Sequence, residues 1–161
     1  MRRLPLFALV ASGLALAATA CSSSAKPASS ATSPPRVTTT TAPSGRTVAV
    51  THTTLGNVLV DSRGLTLYAY TKDKPGTSTC TGVCAQAWPP ETVTGTITVS
   101  SGLHASMFST ISRPDHTKQL AAAGRPLYTF SGDRARGDAT GQGMGDFYAV
   151  APTGRLIGAP S

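Results

Sequence analysis

The chain has 161 residues, 13% of them charged, with 14 Lys and Arg against 7 Asp and Glu and three cysteines. That length leaves room for one domain of ordinary size, and a composition poor in charge and rich in Ser, Thr, Ala, Gly and Pro suits an exported β-rich protein better than a cytosolic helical one. The net charge of +7 is no footprint of nucleic-acid binding, because Arg2, Arg3, Lys26, Arg36 and Arg46 sit near the N-terminus and, from Gly56 onward, nine basic side chains face seven acidic ones with no basic stripe among aromatics.

Residues 1–20 read as a signal peptide. Arg2 and Arg3 supply the positive start, Leu4 to Ala17 the apolar run, and Ala18-Thr19-Ala20 the small residues before Cys21. The run is shorter than the roughly 20 residues a membrane-spanning helix needs. Its ending at a cysteine followed by Ser22-Ser23-Ser24 resembles a bacterial lipobox, with Ala18 where Leu is usual. The resemblance implies diacylglycerol on the Cys21 thiol and cleavage just before it. Two or more acyl chains hold a protein stably on a membrane. The expected address is the extracytoplasmic face of the cell membrane.

Residues 21–45 are almost entirely Ser, Thr, Ala and Pro, without apolar periodicity. Such a segment buries too little apolar surface to offset its ordering entropy, so it reads as a disordered tether. A flexible coil of that length spans on the order of 25–30 Å, enough to lift a domain off the headgroups. Thr38 to Thr41 beside prolines is also the composition of O-glycosylated stalks.

From 46 to 161 the texture changes to short alternating apolar runs. Val48 with Val50, Val58 to Val60, Leu65 to Tyr70, Thr96 to Val99, Phe108 to Ile111, Leu127 to Phe130 and Phe147 to Val150 all read as strands. Asp61-Ser62-Arg63-Gly64 reads as a hairpin turn with positive φ at Gly64, and Lys74-Pro75-Gly76-Thr77 as a type II turn. Only Thr117 to Ala123 suggests a helical turn, ended by Gly124. The fold class expected is all-β, a small sandwich or barrel of seven or eight short strands.

Gly64-Leu65-Thr66-Leu67-Tyr68-Ala69-Tyr70-Thr71-Lys72-Asp73 lines up with Gly124-Arg125-Pro126-Leu127-Tyr128-Thr129-Phe130-Ser131-Gly132-Asp133. Glycine, leucine, tyrosine, a second aromatic and aspartate hold at one offset, so the domain reads as two repeats, about 48–100 and 101–155. Side chains alternate faces along a strand, which puts Tyr68 with Tyr70, and Tyr128 with Phe130, on one face. Two readings follow. In the structural one the aromatics form the core of each half and each aspartate accepts backbone N–H bonds in the turn that follows. In the functional one Tyr68, Tyr70, Tyr128 and Phe130 line a shared ligand groove with Asp73 and Asp133 at its mouth.

With Cys21 committed to lipid, Cys80 and Cys84 form an even pair in an oxidising compartment and read as a structural disulfide. So short a loop contributes roughly 2 kcal/mol, with Trp88 packed over it. The C-x-x-x-C spacing differs from the C-x-x-C of thioredoxin-like sites, and Ala85 stands where haem attachment needs histidine. His104, Met107 and Met144 are weak candidates for copper, which suits imidazole and thioether ligands. The spacing of Asp133, Asp138 and Asp146 does not fit a calcium loop, and the glycine-rich run Gly141 to Gly145 follows no strand-to-helix pattern.

The pair LYAYTKD and LYTFSGD, the segment CTGVCAQAWPP and the ending GDATGQGMGDFYAVAPTG resemble the bacterial secreted-repeat lipoproteins of unknown function, a family described by a Y-x-(F/W/Y)-x-x-D motif. The resemblance spans residues 48–155. It implies a lipoprotein and brings no established activity. His116 departs from it, following Asp115 where such members often carry glycine.

These readings point to a non-enzymatic envelope module that binds an unknown envelope protein or small ligand, without nucleic acid and without a cofactor. The alternative is an accessory lipoprotein for redox or metal handling, copper or haem, through Cys80 and Cys84 or His104, Met107 and Met144. A cell-wall enzyme would need a cleft in which Asp73, Asp133 or His116 is poised for acid–base work.

Overall fold

The computed structural model describes residues 45–160. The signal peptide at 1–20, the lipidation site Cys21 and the tether up to residue 44 lie outside the described residues.

Eight strands form two sheets. Strands β1 (Gly45–Thr53), β2 (Gly56–Val60) and β4 (Thr96–Val99) make a three-stranded sheet in the order β2-β1-β4. Strand β1 pairs antiparallel with β2 and parallel with β4. The second sheet runs β5-β6-β7-β3-β8 and is antiparallel throughout. Its strands are β3 (Tyr68–Tyr70), β5 (Phe108–Ser112), β6 (Lys118–Ala122), β7 (Arg125–Tyr128) and β8 (Phe147–Ala149). Backbone bonds stitch the sheets together: Leu59 donates to Val150 at 2.8 Å and Leu67 donates to Leu59 at 2.9 Å. The result is a small sandwich, not a closed barrel.

The period-2 pattern explains why both faces of the larger sheet are buried at its centre. Leu67, Ala69 and Leu127 point into an aliphatic core with Val48, Leu59, Phe108 and Leu120. Tyr68 and Tyr128 point the other way, into an aromatic core with Trp88, Phe147 and Cys80. Strand β3 lies between β7 and β8, so the two copies of the repeated strand are neighbours, with Tyr68 directly opposite Tyr128.

The segment 117–123 is not helical. Strand β6 occupies Lys118–Ala122 and pairs with β5 from Phe108↔Ala122 to Ser112↔Lys118. Gln119 through Ala122 are all fully buried, which a strand held between two neighbours allows and one stripe of a surface helix does not. Burial has overridden the helix propensity of alanine. Among the described residues the single α-helix, α1 (Val83–Ala87), begins inside the disulfide loop, where no periodicity marks it in the sequence.

The turns follow their residue chemistry. Gly64 has φ +86 and donates to Asp61 at 2.9 Å. Gly76 has φ +74, and Thr77 donates to Lys74 at 2.9 Å, as a Pro-Gly type II turn requires. His116, at the β5–β6 turn, has φ +62. That left-handed backbone suits glycine and costs a larger residue energy, so the departure at His116 falls where the turn is strained.

Candidate functional site

The repeated tyrosines and aspartates meet across the two repeats. Tyr68 of the first repeat donates its hydroxyl to Asp133 Oδ2 of the second at 2.8 Å, and Tyr128 of the second donates to Asp73 Oδ2 of the first at 2.6 Å. Each aspartate uses its other oxygen on its own loop. Asp73 Oδ1 accepts the amide and hydroxyl of Thr79, both at 2.7 Å, while Asp133 Oδ1 accepts those of Thr140 at 3.0 and 2.6 Å. Every carboxylate thus holds the turn after its own strand and the tyrosine of the other strand. This is a reciprocal latch, and it explains the spacing: the strand aims its phenol into the core, while the aspartate five residues on closes its own loop over the phenol of the other repeat.

The two halves of the latch differ in what completes the phenol. Tyr68 accepts from the Gly141 amide at 3.3 Å. Tyr128 sits 2.7 Å from the Ser78 hydroxyl, which receives Arg113 Nη1 at 2.6 Å. Since Tyr128 gives its only proton to Asp73, Ser78 must donate to Tyr128, so the bonds run in one direction from Arg113 to Asp73. Arg113 is buried and also donates to Gln119 Oε1 at 2.7 Å and to the Cys80 carbonyl at 2.9 Å. Neither Arg113 nor Gln119 stood out in the sequence, because their partners are brought together only by the β5–β6 hairpin.

Burial, reinforced by the adjacent carboxylates of Asp133 and Asp73, pushes both phenols well above the usual tyrosine range. A raised folded-state value favours the folded protein fully below the unfolded tyrosine value near 10, and that stability is lost as pH rises beyond it. In an alkaline titration followed by tyrosinate absorbance, the amplitude of Tyr68 and Tyr128 is therefore expected to appear only as the domain unfolds. Ionisation of all four tyrosines while near-ultraviolet circular dichroism stays native would contradict this placement.

Of the two readings of the repeated motif, the structure follows the core-and-turn one and not the shared groove. Tyr68 and Tyr128 are 0% exposed and Asp133 is 5% exposed, so these groups present no surface to a ligand. Tyr70 and Phe130 are only partly buried and pack at the edge of the aromatic core. Tyr70 stacks on Phe147 with centroids 4.4 Å apart, and Phe130 lies 4.5 Å from Trp88. The physical reason is the register: the paired strands place both phenols in the aromatic core, Tyr68 edge-on to Trp88 and Tyr128 edge-on to Phe147, where water is excluded.

Cys80 and Cys84 are disulfide-bonded with their Cα atoms 5.3 Å apart. Cys80 is buried in the aromatic core that also holds Trp88, and the Trp88 amide donates to the Cys84 carbonyl at 2.8 Å. Among the metal candidates, His104 and Met107 bracket a single 3-10 turn at Ala105–Met107, where Met107 packs on the aliphatic core. Met144 begins a separate turn at Met144–Asp146 and is 50% exposed. Among the described residues, no three His, Cys, Asp or Glu side chains are grouped to hold a metal ion.

An open surface cavity of about 640 Å³ is lined by none of the latch side chains. Thr71 follows β3, Arg125 opens β7, and Thr153, Gly154 and Arg155 form the turn after β8, with Leu156 beside them in the lining. Among the described residues the lining holds two arginines, no carboxylate and no aromatic ring. Gly154 is needed there, since it has φ +82 and a Cβ would lie 3.1 Å from that of Ala123 and 3.2 Å from the Met107 sulfur. Nothing in the sequence marks this cavity, because its two arginines are 30 positions apart, one opening a strand and the other in a turn.

A family model described as a secreted repeat of unknown function matches residues 49–91 and, a second time, residues 109–152. No curated protein and no solved structure matches the chain. The first match contains Tyr68 and Asp73 and the second contains Tyr128 and Asp133, so each repeat supplies one tyrosine and one aspartate to the latch.

Proposed function

This chain belongs to the secreted repeats of unknown function, and on that premise we propose that it is a non-enzymatic binding module held on the extracytoplasmic face of the membrane by lipid on Cys21. The observation that carries the reading is how the repeated side chains are used. Both tyrosines and both aspartates serve to lock the repeats together, which leaves the surface as the place of contact with a partner or small ligand. The arginine-lined cavity is a concave part of that surface. Among the described residues its lining offers hydrogen-bond donors and no carboxylate, which supports recognition over the acid–base work of hydrolysis.

Two measurements test the two halves of the proposal. Fractionation of cells expressing the full chain should find it with the membrane, and the Cys21→Ala chain should pass into the medium. Retention of that variant in the membrane fraction overturns the anchor. Purified full chain incubated with cell-envelope material should capture a component and leave it intact; release of cleaved products would make the protein an enzyme.

A further inference from the structure

Resting on that reading, we propose that the cavity at Arg125 and Arg155 is a site for a phosphate ester. Three features of the lining select this chemistry. The described lining is positively charged: among the described residues neither arginine is paired with a carboxylate, and two like charges share one concavity. An anion seated between them relieves that repulsion.

The number of donors separates phosphate from carboxylate. Each guanidinium carries five N–H donors in a planar fork, and one fork already satisfies the two oxygens of a carboxylate. Two forks, with Thr71 and Thr153 also in the lining, suit a group with three or four acceptor oxygens. Arginine is also the residue type whose geometry matches phosphate bidentately.

The apolar part of the lining accounts for the ester. Leu156, Ala123 and Pro160 offer a small apolar surface to the carbon that bears the phosphate. No ring is present to stack on a sugar face or a base, so recognition rests on the phosphate and the first carbons attached to it. The same chemistry occurs on soluble glycerol phosphates and on anionic phospholipid headgroups, and a membrane-tethered domain would meet both.

The test uses the full chain in neutral detergent micelles, with the amide resonances of Arg125, Thr153 and Gly154 followed by NMR. Glycerol phosphate is expected to shift these resonances saturably, and the Arg125→Gln/Arg155→Gln double variant to weaken the affinity at least tenfold. Arg134→Gln, which removes an exposed arginine outside the cavity, should bind as the parent does. A parallel titration into bilayer discs of zwitterionic or anionic phospholipid separates the sources. Shifts with soluble ester identify a free or polymer-borne phosphate, shifts only with anionic discs identify a headgroup, and either upholds the site. Equal, unsaturable shifts in the parent and the double variant overturn it. If envelope capture persists in that case, the site assignment has failed and the binding-module reading stands; if capture is absent while glycerol phosphate still binds, the reverse holds.

Discussion

Replacing Asp133 by alanine is expected to destabilise the domain by about 3–5 kcal/mol, a large share of the roughly 5–15 kcal/mol available to a domain of this size. The carboxylate accepts the Tyr68 hydroxyl and both the amide and hydroxyl of Thr140. Removing it leaves the Tyr68 phenol in the aromatic core, at 0% exposure, without the carboxylate that takes its proton. The cost of an unmet buried donor exceeds the net worth of the bond itself. Asp133→Asn keeps an acceptor in place and should cost less, about 1–2 kcal/mol. Asp73 is more exposed than Asp133, so water can replace part of what Asp73→Ala removes, and its effect should be the smaller of the two. Urea denaturation of the parent and the three variants measures all of these. Asp73→Ala more harmful than Asp133→Ala would mean that burial does not set the cost.

The second large effect is expected at Trp88, the only tryptophan of the chain. Its ring stacks on Phe147 with centroids 3.9 Å apart and planes 4° from parallel, tilts against Phe130 at 4.5 Å and meets Tyr68 edge-on at 5.3 Å. Aromatic pairs add about 0.5–1.5 kcal/mol each beyond area burial, and a tryptophan truncated to alanine in a core costs about 3–5 kcal/mol. The backbone has adapted to this ring. A Cβ at Gly141 would lie 2.6 Å from the far edge of the indole, and the same glycine supplies the amide bonded to Tyr68. Trp88→Ala should therefore lower the melting temperature sharply and weaken the Gly141–Tyr68 contact with it, while Trp88→Phe should recover part of the loss. Thermal melts followed by circular dichroism provide the comparison. A shift at Trp88→Ala no larger than that of a surface substitution would remove Trp88 from the centre of the core.

Much of the architecture was legible because strands of a two-faced sheet carry their signature in period 2. Leu67 and Ala69 against Tyr68 and Tyr70 already divided the aliphatic core from the aromatic one. The Asp61–Gly64 and Lys74–Thr77 turns were legible because glycine and proline restrict or extend φ directly. Lys118–Ala122 was not legible as a strand. Its Gln-Leu-Ala-Ala run carries no alternation, since β6 is covered on both faces, and only the pairing with β5 and β7 makes it extended.

The motif was visible as a repeat, but its use was not. Within one copy, tyrosine and aspartate read as neighbours in a turn, and nothing local indicates that each tyrosine is answered by the aspartate of the other copy. That exchange depends on β3 and β7 lying side by side. Arg113 and the Arg125–Arg155 cavity were hidden for the same reason, their partners being distant in sequence and joined only by the sheet.

The most direct test of the reciprocal latch is a set of double-mutant cycles with Tyr→Phe and Asp→Asn substitutions, read by urea denaturation. Tyr68 with Asp133, and Tyr128 with Asp73, should each show a coupling energy of about 1–2 kcal/mol, whereas Tyr68 with Asp73 and Tyr128 with Asp133 should add to within about 0.5 kcal/mol. Coupling inside each repeat, with additivity between the repeats, would contradict the exchange and return each motif to a self-contained turn.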